Sequence, residues 1–172
     1  MTNRAVEELE EGRLHYARRI SGLDTSHFGA MWHLVTIAHL AMADLDRIAA
    51  GQSLSIADLV LLGTIGIERD QPLRPTDLAR KLFISNAVLT ARVERLGKAG
   101  LLVREKSPDD RRAYRLRITP AGNGIVEEAI VRISRESAFV RSLRRIGETD
   151  RQTLERILGA LHGELLRHGP GA

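Results

Sequence analysis

The 172-residue sequence contains no cysteine. Disulfides, thiolate metal sites and thiol-based redox sensing are therefore excluded together. Aromatic residues make up only 3% of the chain, while hydrophobic residues reach 43%. The core must then be aliphatic, which favours helices packed on helices, and wholesale disorder is excluded. No Gly-rich phosphate loop, nucleophile elbow or spaced set of metal ligands is found, so the sequence reads as a non-enzyme without a cofactor or metal. The N-terminal stretch carries Glu7, Glu8, Glu10 and Glu11 and lacks the apolar run of a signal peptide. The apolar stretches are read as interrupted short of the ~18 residues that a membrane span needs. A cytoplasmic protein is expected.

What is present is positive charge, concentrated in one place. Between Ser85 and Thr119 nine Lys and Arg face four Asp and Glu, an excess greater than the net +4 of the whole chain. Such a stretch is how a polyanion-binding surface reads, although an ordinary solvated face shares the composition.

The periodicity predicts a first charged helix from Arg4 to Ile20, ending near Ser21-Gly22. A long helix from about His27 to Ala50 follows, with Ser26 as its cap. Phe28, Met31, Trp32, Val35, Ala38, Met42 and Leu45 form its stripe, widened by Leu34, Ile37, Ala41 and Ile48. A helix apolar over so much of its circumference is buried on more than one side, which points to a dimer interface. Ser55 with Asp58 resembles a capping box opening a helix that contains Gly63 and Gly66. Those glycines fit close helix packing or room for a small ligand. Pro75 fits the first position of a short helix, and Leu82-Phe83-Ile84 leads into Ser85, a good N-cap for the next. Leu89, Val93 and Leu96 share one face of that helix, and Gly100 ends it.

The period then changes to two. Leu102–Arg104 and Tyr114–Ile118 read as antiparallel strands around the polar loop Ser107–Arg112. A helix from Pro120 to about Leu143 is expected next, and a Thr149–Gln152 capping box is read as launching the last helix. Helix, short turn, helix and hairpin in this order make a winged helix-turn-helix. The expected fold class is mostly α, with a two-stranded β wing. The expected divisions are an N-terminal extension (1–25), a dimerisation helix (26–54), a DNA-binding region (55–119) and C-terminal helices (120–172).

Turning Leu89, Val93 and Leu96 inward leaves Ser85, Asn86, Ala87, Thr90, Ala91, Glu94 and Arg95 on or near the outward arc, with Arg92 at its flank. Asn can pair with adenine and Arg with guanine, and Thr can meet a thymine methyl or a phosphate. Ala87 and Ala91 let the backbone approach the bases. In the hairpin loop, Asp110 can brace one of Arg111 and Arg112 while the other extends into a narrow minor groove.

These residues resemble the MarR family of bacterial transcription regulators. The resemblance is carried by Asp77–Leu82, Leu89-Thr90, Val93–Leu96, Gly100–Arg104, Asp110–Arg112 and Leu116–Gly122. It implies an interlocked helical dimerisation region, in which the C-terminal helices (120–172) are dimerisation helices. It also implies a homodimer on a palindromic operator, a repressor role, and release by a small aromatic or anionic effector. The extension ending Leu23–Ser26 is similar to a subgroup that includes urate-responsive regulators. Where that subgroup has a Trp in the first helix and an Asp early in the helix after the dimer helix, this chain has Tyr16 and Val60. Where family wings carry an Asp and an Arg ahead of Asp110, this chain has Ser107 and Asp109. Tyr16, Trp32, His33 and His39 are the candidate effector residues. The histidines also invite a metal reading, but His33 and His39 are six apart and share no face. A winged helix used for protein contact without specific DNA binding is the alternative function.

Overall fold

In this computed structural model the described residues are 2–68, 74–106 and 114–168. The elements are α1 (Thr2–Arg19), α2 (Phe28–Ala50), α3 (Ile56–Ile67), α4 (Pro75–Lys81), α5 (Asn86–Lys98), β1 (Leu102–Lys106), β2 (Tyr114–Ile118), α6 (Pro120–Glu136), α7 (Ala138–Arg145) and α8 (Glu148–His168). Two compact units divide inside α2, one up to Ala43 and the other from Asp44 onward.

In the first unit α1 ends in a turn that Gly22 makes with a φ of +77°. The Tyr16 ring lies 6.3 Å from that of Phe28, and the Asp24 carboxylate accepts the Ser26 backbone N–H at 2.8 Å.

The second unit is built around α3, α4, α5 and the hairpin. Its main cluster joins Leu61, Leu62 and Ile65 of α3, Leu78 and Ala79 of α4, and Leu89, Val93 and Leu96 of α5. Leu101, Leu102, Leu116 and Ile118 close it. A smaller cluster joins Ala49, Ile56, Leu59 and Ala129. Helices α3, α4 and α5 begin where the sequence places them. Ser55 and Asp58 form the reciprocal capping box at α3, Pro75 opens α4, and the Ser85 hydroxyl accepts the Val88 N–H at α5. Gly100 closes α5 with a φ of +71°.

The strands pair antiparallel, Leu102 opposite Ile118 through Lys106 opposite Tyr114. Their open ends are tied together. The Thr119 N–H donates to the Leu101 carbonyl at 3.0 Å, and its hydroxyl donates to the Gly100 carbonyl at 2.8 Å. There α6 comes so close that a Cβ on Gly122 would stand 2.1 Å from the Leu101 carbonyl oxygen. Only glycine fits.

Three expectations change. The helix from Pro120 stops at Glu136 instead of Leu143, because Ser137 leaves helical geometry (ψ 127°) and caps a separate α7. Asp44 enforces that break, taking the Ser137 hydroxyl at 2.7 Å and the Phe139 N–H at 3.2 Å. The last helix starts at Glu148, ahead of the expected Thr149 cap, and Gln152 donates its side-chain amide to Glu148. Finally, α2 is long and apolar enough, by length and composition alone, to pass for a membrane span. Its His33, His39, Asp44, Asp46 and Arg47 are the polar interruptions.

Gly63 and Gly66 settle as packing positions. Added Cβ atoms there would meet Val126 at 3.8 Å and Ile118 at 3.7 Å, ordinary van der Waals distances to α6 and β2.

Candidate nucleic-acid interface

The geometry of α5 follows from one row of three residues. Leu89, Val93 and Leu96 are 2%, 3% and 0% exposed, so the helix cannot rotate without opening the core. That fixes the opposite arc, where Ser85, Asn86, Ala87, Thr90, Ala91 and Glu94 are all exposed and Arg92 is half-buried. The Thr90 hydroxyl donates to the Asn86 carbonyl at 2.8 Å, leaving its methyl group and oxygen lone pairs for a partner. The small side chains of Ala87 and Ala91 allow close approach of a flat surface.

The turn before α5 carries an unexpected element. Phe83 has a φ of +54° and is 75% exposed. That left-handed backbone favours glycine, and nothing in the fold explains the aromatic there. The tight connection itself is made by the Phe83 and Ile84 N–H groups, which donate to Arg80 and Ala79.

Arg95 is also differently occupied than the sequence suggests. It reaches back to Asp58, the buried carboxylate of the α3 capping box. Asp58 also accepts the Ser55 N–H at 3.0 Å and the Ser55 hydroxyl at 2.7 Å. Burial by itself pushes the Asp58 carboxyl up, but the Ser55 and Arg95 hydrogen bonds outweigh it and hold the group below the usual carboxylate range. The capping box was legible from the Ser-x-x-Asp spacing; its partner 37 residues away was not.

On the wing, the Arg104 guanidinium stands 4.9 Å from the Tyr114 ring centroid. Arg117 pairs with Glu105 at 2.8 Å across the strands. Asp110, Arg111 and Arg112 lie outside the described residues.

The candidate effector residues all fall in the first unit. Tyr16 and Trp32 are half-exposed, and His33 and His39 lie on the exposed surface of α2. Among the described residues no three His, Asp or Glu side chains come together as a metal site.

A family model described as the MarR family matches residues 52–113, which is α3 through the wing. Over that stretch the chain is similar to the MarR family. MarR proteins are transcription regulators and not enzymes. The HTH-type transcriptional regulator PecS of Dickeya dadantii is 33% identical over 92 residues, covering 50% of this chain and 55% of PecS. The chain thus spans about half the length of that curated relative. AbsC, a MarR regulator from Streptomyces coelicolor, superposes with a TM-score of 0.71 at 19% identity, over 87% of this chain and 100% of AbsC. S. aureus MepR, solved in complex with DNA, gives 0.69 at 16% identity, over 78% of this chain and 97% of MepR. At those identities the structural likeness is one of fold.

Proposed function

We propose that this protein is a sequence-specific DNA-binding transcription regulator that acts as a homodimer on a palindromic operator. The observation that carries the reading is the fixed outward arc of α5, with Ser85, Asn86, Ala87, Thr90, Ala91 and Arg92 presented opposite a fully buried row. In this reading Asn86 reads a base edge, Thr90 meets a methyl group or phosphate, and Arg92 contacts the backbone. Arg111 and Arg112, braced by Asp110, extend the contact into the flanking minor groove. The family match and the DNA-bound MepR neighbour support it.

Dimerisation is supported by what the chain leaves uncovered. Met31, Trp32, Val35 and Leu40 of α2 are 51–64% exposed, and Ile157, Leu165 and Leu166 of α8 are 50–57% exposed. Apolar faces of this kind require a partner, and a second copy supplies a self-complementary one. The division into extension (1–25), dimer helix (26–54), DNA-binding region (55–119) and C-terminal dimer helices (120–172) is proposed on the same ground. We further propose a repressor released by a small aromatic or anionic effector at Tyr16, Trp32, His33 and His39, working in the cytoplasm.

Fluorescence anisotropy tests the reading, using DNA upstream of the protein's own gene against random DNA at several salt concentrations. A palindromic segment bound ~10³-fold tighter than random DNA, with affinity falling steeply with salt, is the expected result. Weak binding without sequence preference across genome-wide operator selection would instead favour a protein-contact module.

A further inference from the structure

We propose that Arg95 is a positioning residue for the recognition helix, acting through the buried Asp58, and not a reader of DNA. The inference rests on the DNA-binding reading above but reassigns one of its residues. Arg95 stands ten residues beyond the Ser85 cap, roughly 15 Å along the α5 axis. In a helix-turn-helix, base edges are met by the N-terminal residues of the second helix, so Arg95 lies behind the reading end.

Its partner is more telling than its place. Asp58 is 2% exposed and cannot touch a nucleic acid. Withdrawing Arg95 toward a phosphate would leave that carboxylate buried with only the Ser55 hydrogen bonds to compensate it. The pair also continues a chain of polar contacts. Asp58 and Ser55 cap each other at the start of α3, and the next N–H, that of Ile56, donates to Asp46 at 2.8 Å. Asp46 belongs to the last turns of α2, two residues beyond the Asp44 that holds the α6–α7 break. The far end of α5 is thus hung from the first turn of α3, and that turn from the end of α2. Leu89, Val93 and Leu96 set the rotation of α5 about its axis; the Asp58–Arg95 pair sets its tilt.

The test uses the full-length chain with Arg95→Met, Asp58→Asn and the double variant. Asn retains an oxygen for the Ser55 cap while losing the charge. Hydrogen exchange of the α5 amides, measured without DNA, is expected to quicken from Thr90 to Lys98 in both single variants, and no further in the double variant. On operator DNA both single variants are expected to bind about tenfold more weakly, with a non-additive double variant and an unchanged salt slope. Unchanged α5 exchange in Arg95→Met would overturn the proposal, even if the protein bound no DNA at all. So would a salt slope reduced by about one in Arg95→Met, the mark of a lost phosphate contact. Loss of preference at a single base pair in Arg95→Met with Asp58→Asn binding normally would overturn it in favour of base reading. Should Asp58→Asn fail to fold, the exchange and the salt slope of Arg95→Met decide alone.

Discussion

Helices α5 and α8 carry similar apolar rows and meet opposite fates. The α5 row of Leu89, Val93 and Leu96 is buried to 3% exposure or less within the chain. The α8 row of Ile157, Leu158, Leu161, Leu165 and Leu166 stays 39–57% exposed. A helix whose apolar face is satisfied by its own chain can give its polar face to another molecule. A helix whose apolar face is left open must be completed by one. Under the proposed function the two helices would serve recognition in complementary ways, α5 through its polar side and α8 through its apolar side.

That contrast can be broken at either helix, and the largest effect is expected at α5. Leu96→Ala should cost about 2–5 kcal/mol of folding stability, read by denaturant unfolding, because truncating a fully buried side chain leaves a cavity in the core. Leu161→Glu combined with Leu165→Glu should instead leave the fold intact and shift the assembly to monomer by about two orders of magnitude, read by sedimentation equilibrium. A large loss of secondary structure in that variant would mean that α8 is completed within one chain.

Arg111→Ala should weaken operator binding by about 1–3 kcal/mol in anisotropy titrations, chiefly for sites with a narrow flanking minor groove. Unchanged affinity would confine recognition to α5.

Acid should act through Asp44. Its hydrogen bond from Ser137, helped by the Phe139 N–H and by Arg47, holds its carboxyl at about 2 against an ordinary value near 3.8. A depressed folded value means stability that is fully present above about pH 4 and lost as pH falls toward 2. Asp44→Asn should flatten thermal stability between those values by on the order of 1–2 kcal/mol. The smallest effect is expected at Gly63→Ala, within about 1 kcal/mol of wild type. There helix propensity favours Ala, and its Cβ would meet Val126 at an ordinary 3.8 Å, so the small change should be stabilising.

Much of this was legible in the sequence, and the reason is periodicity. The rows of α5, the alternating β2 strand, the caps Ser55 and Ser85, and the stops at Gly22 and Gly100 are all local signals, and the structure follows them. What escaped depends on partners far along the chain. The break at Ser137 is made by Asp44, 93 residues earlier. The occupation of Arg95 is made by Asp58. A local spacing can likewise mislead, as at Thr149 and Gln152, where α8 begins two residues ahead of the start a Thr149 cap implies and Gln152 serves Glu148. The outward arc of α5 was legible because its buried face was; which of its charges are already spoken for was not.

The tie at the base of the hairpin has a consequence for how such a protein diversifies. Thr119 joins Gly100 and Leu101 through two hydrogen bonds, and Gly122 seats α6 directly on that junction. The junction makes the segment between the strands a cassette, since its ends are held in place whatever it contains. Doubling the length of such a loop costs only about 0.6 kcal/mol in closure entropy. Residues 107–113 are accordingly the stretch of sequence to exchange; under the proposed function such exchanges would alter flank preference and leave the α5 contacts alone.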